Sequence, residues 1–327
     1  MEMCFTKGII IDMVFSSLFF VLFFLPLNLL LYIFMPNIKA KNMEMLIFSL
    51  IFYSWGGPRY LILLLAMVFI AWGSAVLIER YREDGQQKKM WLVIGCGALL
   101  AVLGIFKYLT FLLTNVHAVT GFPPVVPQIA LPIGISFYTF QLLSYVVDVY
   151  RGEVEAQKKY WMLLLYAGLF HQCIAGPIVR YEHVAAELED RTVRLSGMGA
   201  GIRRFFIGLA KKAVLANSCA AVADALLPAG SAELAGIPAA GLWVGMLMYM
   251  LQIYLDFSAY SDMAIGMGMM IGLHYEENFN YPYSAVSIKD FWRRWHMTLS
   301  SFLGDYVYIA LGGSRWGHLR NILNLFV

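Results

Sequence analysis

Residues 280–313 read NYPYSAVSIKDFWRRWHMTLSSFLGDYVYIALGG, and the chain is read outward from them. Two arginines, two tryptophans and one histidine fall within residues 292–296, yet 60% of the 327 residues are hydrophobic and only 14% charged. Soluble domains carry about a quarter charged residues, and the mean hydropathy here is +0.68. On either side of the cluster, apolar runs recur that are long enough to cross roughly 30 Å of hydrocarbon. In lipid the backbone must satisfy its own polar groups, which helices do within one segment. The expected fold class is an all-α polytopic membrane protein.

The net charge of +3 does not argue for nucleic acid, because the Lys and Arg residues sit mainly in short connections between apolar runs, where they set topology. Cys4, Cys96, Cys173 and Cys219 are far apart without CxxC spacing. Neither a disulfide framework nor a metal site is expected, and Cys96, Cys173 and Cys219 read as small hydrophobes.

Run 13–36 is too long for a signal-peptide core and reads as a retained span followed by Lys39 and Lys41. Runs 43–55 and 60–78 form a helical hairpin, and 90–114 is the next span. Basic connections at 79–89 and 151–159 are placed inside, and 115–128, without Lys or Arg, outside. Run 160–177 lies between two basic stretches, so both its ends favour the cytoplasm. It reads as a re-entrant segment turning at Gly176-Pro177 and lining an internal chamber.

In the span 205–227, Lys211 and Lys212 are expected to snorkel near the inner end. LDFSAYSD (255–262) separates the apolar runs 242–255 and 263–273, and its two aspartates face the interior. They either line a chamber or hydrogen-bond between helices. No linker or repeat divides the chain, so residues 1–327 read as one domain.

Ser287 followed by Asp290 marks a helix start at Ile288. A helix continuing through His296 would put Trp292, Arg293, His296, Leu299 and Ser300 on one face. Two readings fit the residues. One is a histidine general base with adjacent cations and a hydroxyl; the other is an amphipathic interfacial helix whose histidine bridges neighbours. Tyr281, Tyr283 and Tyr306 read as an acceptor path or as ordinary interfacial tyrosines. His117 and His183 read as loop bystanders, and His274 beside two glutamates as a weak metal signal.

DFWRRWHMTLSSFLGDYVYIALGG (290–313) resembles the membrane-bound O-acyltransferases, in particular their alginate O-acetyltransferase branch. The resemblance extends through run 13–36, FKYLTFLL (106–113), LPIGISFYTFQLLSYVVDVYRG (131–152), IAGPIVRY (174–181) and LDFSAYSDMAIGMGMMIGLHYEENFNYPY (255–283). The ordered set is more specific than any one motif. It implies a helical bundle with re-entrant segments around a central chamber, in a multi-pass protein of the inner (cytoplasmic) membrane. The implied reaction moves an acyl group from a cytoplasmic thioester donor such as acetyl-CoA, with no bound cofactor, toward O-acetylation of an exported polysaccharide. Membrane lipid and an outer-side acceptor or transferase protein are the implied partners.

The family's RWH histidine matches His296, with Arg293, Arg294 and Trp292 on the donor side. A second, principal histidine is expected in a later GGLWHGA-like segment beyond this chain, so the 327 residues are expected to turn over little or not at all. His318 is not that residue, residues 1–12 look like an upstream extension, and His171-Gln172 departs from the proline relatives tend to carry. Two alternatives stay open: D-alanyl transfer to teichoic acid, and a transporter or flippase relaying protons through Asp256 and Asp262.

Overall fold

A computed structural model describes residues 14–122, 125–172, 176–228, 230–315 and 317–326. The expected extension 1–12, Cys4 and Cys173 lie outside these, as does the His318 side chain. Among the described residues the ordered elements are helices. In chain order they are α1 (Phe20–Phe34), α2 (Ile38–Trp55), α3 (Pro58–Arg80), α4 (Gly85–Thr120), α5 (Ile135–Arg151), α6 (Tyr160–Gly168) and α7 (Tyr181–Glu189). There follow α8 (Leu195–Leu226), α9 (Ser231–Ala235), α10 (Ala239–Ile271), α11 (Ile288–Trp292), α12 (Met297–Phe302) and α13 (His318–Phe326). α3, α4, α8 and α10 are long and apolar enough to cross a membrane, and α1 is shorter.

Local chemistry sets the helix ends. The Asn37 side chain accepts from Ala40 N–H (2.9 Å) to start α2, and Asp84 accepts from Gln86 and Gln87 N–H (both 3.0 Å) to start α4. Helix α4 runs to Thr120, taking in the first residues of the expected outer loop, and ends at Gly121 in the left-handed region (φ 71°). In the amino-terminal half, Phe15, Phe20, Phe24, Phe52 and Phe170 pack with ring centroids 5.2–6.1 Å apart.

Three contacts show that the chain after α5 runs out along α2 and back. Helix α6 has nine residues and is roughly 13 Å long, far short of a span. Asn42 on α2 meets both Met162 Sδ (3.8 Å) near the start of α6 and the Leu188 carbonyl (2.6 Å) on α7. Between these, Phe170 N–H donates to Ser49 Oγ (3.2 Å), seven residues and about 10 Å further along α2. The chain therefore enters at Asn42, reaches Ser49 and returns to Asn42. Helix α6 ends at Leu169 and a 3₁₀ turn follows at Phe170–Gln172, ahead of the expected turn at Gly176-Pro177.

In the second half the sequence reading needs three corrections. Residues 255–262 do not interrupt the chain: α10 is one helix of 33 residues carrying both aspartates. The basic stretch after run 160–177, expected as a loop through Arg180, Arg191, Arg194, Arg203 and Arg204, is helical from Leu195, so Arg203 and Arg204 lie on α8. Lys211 and Lys212 do not snorkel; at a π-helical turn, Lys211–Ala216, they reach Asp262 (2.5 Å) and Asp256 (2.8 Å) on α10. α8 and α10 run antiparallel in close contact. A Cβ on Gly201 would stand 2.6 Å from the Gly266 carbonyl oxygen, and one on Gly208 2.7 Å from that of Ala259. Small residues allow this approach.

Candidate functional site

Ser287 caps Asp290 N–H (3.1 Å) as its spacing predicts, but α11 lasts five residues. Arg293, Arg294 and Trp295 close a turn, and His296 takes a left-handed conformation (φ 45°, ψ 53°) from which α12 departs. The expected common face of Trp292, Arg293, His296, Leu299 and Ser300 is therefore not formed. Long-range backbone pairing displaces the helix here: Asn280 N–H donates to the Arg294 carbonyl (2.9 Å), and Met297 N–H to the Asn278 carbonyl (3.0 Å). These two bonds clamp 278–280 against 294–297. At either edge of the clamp sits a non-glycine residue at positive φ, His296 and Tyr281 (44°). Such conformations cost about 1–3 kcal/mol each and persist where surrounding structure enforces them, which is characteristic of functional sites.

His296 Nδ1 lies 2.9 Å from Asn278 Oδ1, and its ring meets Phe257 edge-on, centroids 4.7 Å apart at 82°. Burial pushes its pKa down to about 4, so the ring is neutral at physiological pH. Trp295, beside it, packs against Phe279 (5.1 Å), Phe291 (5.5 Å) and Tyr254 (6.2 Å).

Next to His296 opens a cavity of about 540 Å³, lined among others by Arg204, Lys211, Tyr254, Asp262, Glu277, Asn278, Tyr281 and Met297. His296 stands behind this lining, attached to it through Asn278 and its chain neighbour Met297. The cavity's charges are linked: Arg204 reaches Asp262 (3.0 Å) and Glu277 (2.5 Å), and Lys211 shares Asp262. The groove thus presents guanidinium, ammonium and carboxylate groups beside the aromatic faces of Tyr254, Phe279 and Tyr281.

The other residues singled out in the sequence scatter. Trp292 is 53% exposed, Arg293 is exposed, and Arg294 turns back to Asp290 (3.0 Å), holding that carboxyl below its usual range; none of the three lines the cavity. Tyr281 does, whereas Tyr283 donates to the Met250 carbonyl (2.8 Å) and Tyr306 to Asp148 (2.6 Å). Asp262 lines the cavity and Asp256 pairs with Lys212, so the interhelical alternative applies to both aspartates and the chamber alternative to one.

His183 lies between Glu182 (3.2 Å) and Glu276 (3.3 Å), and His274 beside Glu187 (2.6 Å). His171 is buried with Nδ1 3.4 Å from the Tyr275 hydroxyl, and His117 is exposed near the end of α4. No group of three or more metal-ligating side chains occurs among the described residues. Sequence reading missed Asn278, Thr298, Phe257, Arg204 and Glu277. Asn278 is 18 positions from His296, beyond any local periodicity.

Fold and site together define a helical membrane protein with a histidine held beside a polar cavity among its helices. Residues 159–327 match the model of the membrane-bound O-acyltransferase family, MBOAT, and the chain belongs to that family. It is 40% identical over 320 residues to the probable alginate O-acetylase AlgI of Azotobacter vinelandii, covering 96% of this chain and 63% of that protein. It is 33% identical over 350 residues to the peptidoglycan O-acetyltransferase of Helicobacter pylori, with coverages of 96% and 65%. To the teichoic acid D-alanyltransferase of Bacillus subtilis it is 29% identical over 248 residues, with coverages of 74% and 60%. The chain thus spans under two thirds of the length of these relatives.

Proposed function

We propose that this chain is the membrane unit of an O-acyltransferase in which His296 accepts a proton during transfer from an acyl thioester to a hydroxyl. The reading rests above all on one observation: in a chain of this family, the histidine of the RWH segment is held neutral in a left-handed conformation against the cavity wall. The acceptor oxygen attacks the thioester carbonyl as its proton passes to the imidazole. The C–O bond forms, the C–S bond breaks, and the proton leaves with the thiolate.

Within this reading the donor is acetyl-CoA or another cytoplasmic acyl thioester, and the final acceptor is an exported polysaccharide reached through an outer-side partner protein. The protein then works as a multi-pass protein of the cytoplasmic membrane. Alginate and peptidoglycan O-acetylation are the activities named for two of the relatives, and they favour acetyl over D-alanyl transfer on identity and on coverage of this chain. Arg293, Arg294 and Trp292 are exposed or half-buried outside the cavity wall, where they suit an approaching anionic donor rather than the reacting atoms.

The experiment is donor competition. Membranes containing a full-length relative with this site receive acetyl-CoA or a D-alanyl thioester together with polysaccharide. Acetyl consumption with O-acetyl ester formation supports the reading. D-Alanyl ester formation alone, or solute translocation without thioester consumption, refutes it.

A further inference from the structure

We infer that Asn278 is a positioning residue that fixes His296 in its Nδ1–H tautomer and leaves Nε2 as the proton-accepting nitrogen. The inference rests on the proposed role of His296 and extends it to a residue that does not touch the reacting atoms.

The Asn278 side chain is completely buried and held from three directions. Its Nδ2 donates to Ser261 Oγ (3.1 Å) on α10. Its Oδ1 faces Thr298 Oγ1 (3.0 Å) and His296 Nδ1 (2.9 Å). Thr298 Oγ1 accepts Ile178 N–H (3.1 Å) from the arm that follows the turn and donates to Asn278 Oδ1. A carboxamide oxygen only accepts, so the proton of the imidazole must lie on Nδ1. Free imidazole side chains favour the opposite tautomer, and the partner of one ring nitrogen sets the state of the other.

The same residue holds the backbone beneath the ring. The Asn278 carbonyl accepts Met297 N–H (3.0 Å), one of the two clamp bonds that keep His296 left-handed. One buried residue therefore sets both ring orientation and tautomer. Its partners belong to α10 and to the start of α12, and Thr298 is held in turn by Ile178, so these elements must be assembled before the imidazole is correctly presented.

The test is ¹⁵N NMR of the whole chain, labelled at histidine, in detergent micelles, with His296→Gln assigning the resonance. At neutral pH the expected signature is a protonated Nδ1 and an unprotonated Nε2. Asn278→Leu should shift the ring toward Nε2–H, and the matching change in a full-length relative should lower acyl transfer about 10- to 100-fold, as loss of an orienting partner does at metal-bound histidines. Asn278→Asp keeps the acceptor and its shape; it should retain Nδ1–H and raise the pH at which His296 titrates, which covers the case of a leucine variant that does not fold. An Nε2–H signature in the wild type, or an unchanged tautomer in a folded Asn278→Leu protein, overturns the inference whatever the transfer rate. A correct tautomer with undiminished transfer by the His296→Gln equivalent instead overturns the catalytic reading on which it rests.

Discussion

Lys212 Nζ meets Asp256 Oδ1 at 2.8 Å between α8 and α10, two helices long enough to cross a membrane. Six residues further along α10, Asp262 is shared by Lys211 and Arg204. Each aspartate of α10 is thus engaged by a cation of α8. This is the arrangement of an interhelical tie, and it gives little support to a relay of bare carboxyls along a transport path.

Removing one partner of such a tie should cost more than removing both. Asp256→Leu is expected to lower stability by about 1–3 kcal/mol, less than for a fully buried pair because 21% and 33% of the two side chains remain accessible. Asp256→Leu with Lys212→Met should recover most of that loss. Unfolding of the micelle-solubilised proteins by denaturant measures it, and equal losses in the single and double variants would exclude the tie.

The glycine contacts between the same helices predict a sharp positional contrast. Gly208→Val places carbon atoms into the Ala259 carbonyl and should destabilise by about 1–3 kcal/mol. Gly199→Ala, at an exposed helical position with nothing within 4 Å of the added carbon, should stabilise by about 0.5–1 kcal/mol. Thermal melts of both variants in the same detergent decide the point.

Burial of His296 predicts an acid-sensitive contribution to stability. Its pKa is lowered from 6.5 to about 4 in the folded protein, so as pH falls below 6.5 the unfolded chain takes up the proton first. Stability should then fall by about 1.4 kcal/mol per pH unit from this group until about pH 4, where the folded form is protonated too. Wild type and His296→Gln, melted at intervals from pH 7 to pH 4, isolate the contribution. Parallel pH dependences for the two would count against a neutral, buried imidazole.

Most of the transmembrane architecture is legible from sequence because hydrophobic length and basic connections are local signals. They locate α3, α4 and the re-entrant arm. The Ser287 cap is local as well, and its hydrogen bond to Asp290 is present. The site is less legible, since the fate of His296 depends on residues far from it in sequence. Spacing alone extends α11 through residue 296, but the backbone of Asn278 and Asn280 captures Met297 and Arg294 instead and breaks the helix. Likewise, Lys211 and Lys212 look like snorkelling residues until α10 brings Asp262 and Asp256 opposite them. Family motifs single out His296 but say nothing of the carboxamide that orients it.

The account stands or falls on the imidazole of His296. In a full-length relative carrying the same Asn278–His296 pair, His296→Gln should keep the fold and lower transfer of labelled acetyl from acetyl-CoA to the acceptor by about 100-fold or more, the scale of a lost general base. Transfer at the wild-type rate by the correctly folded variant would contradict it.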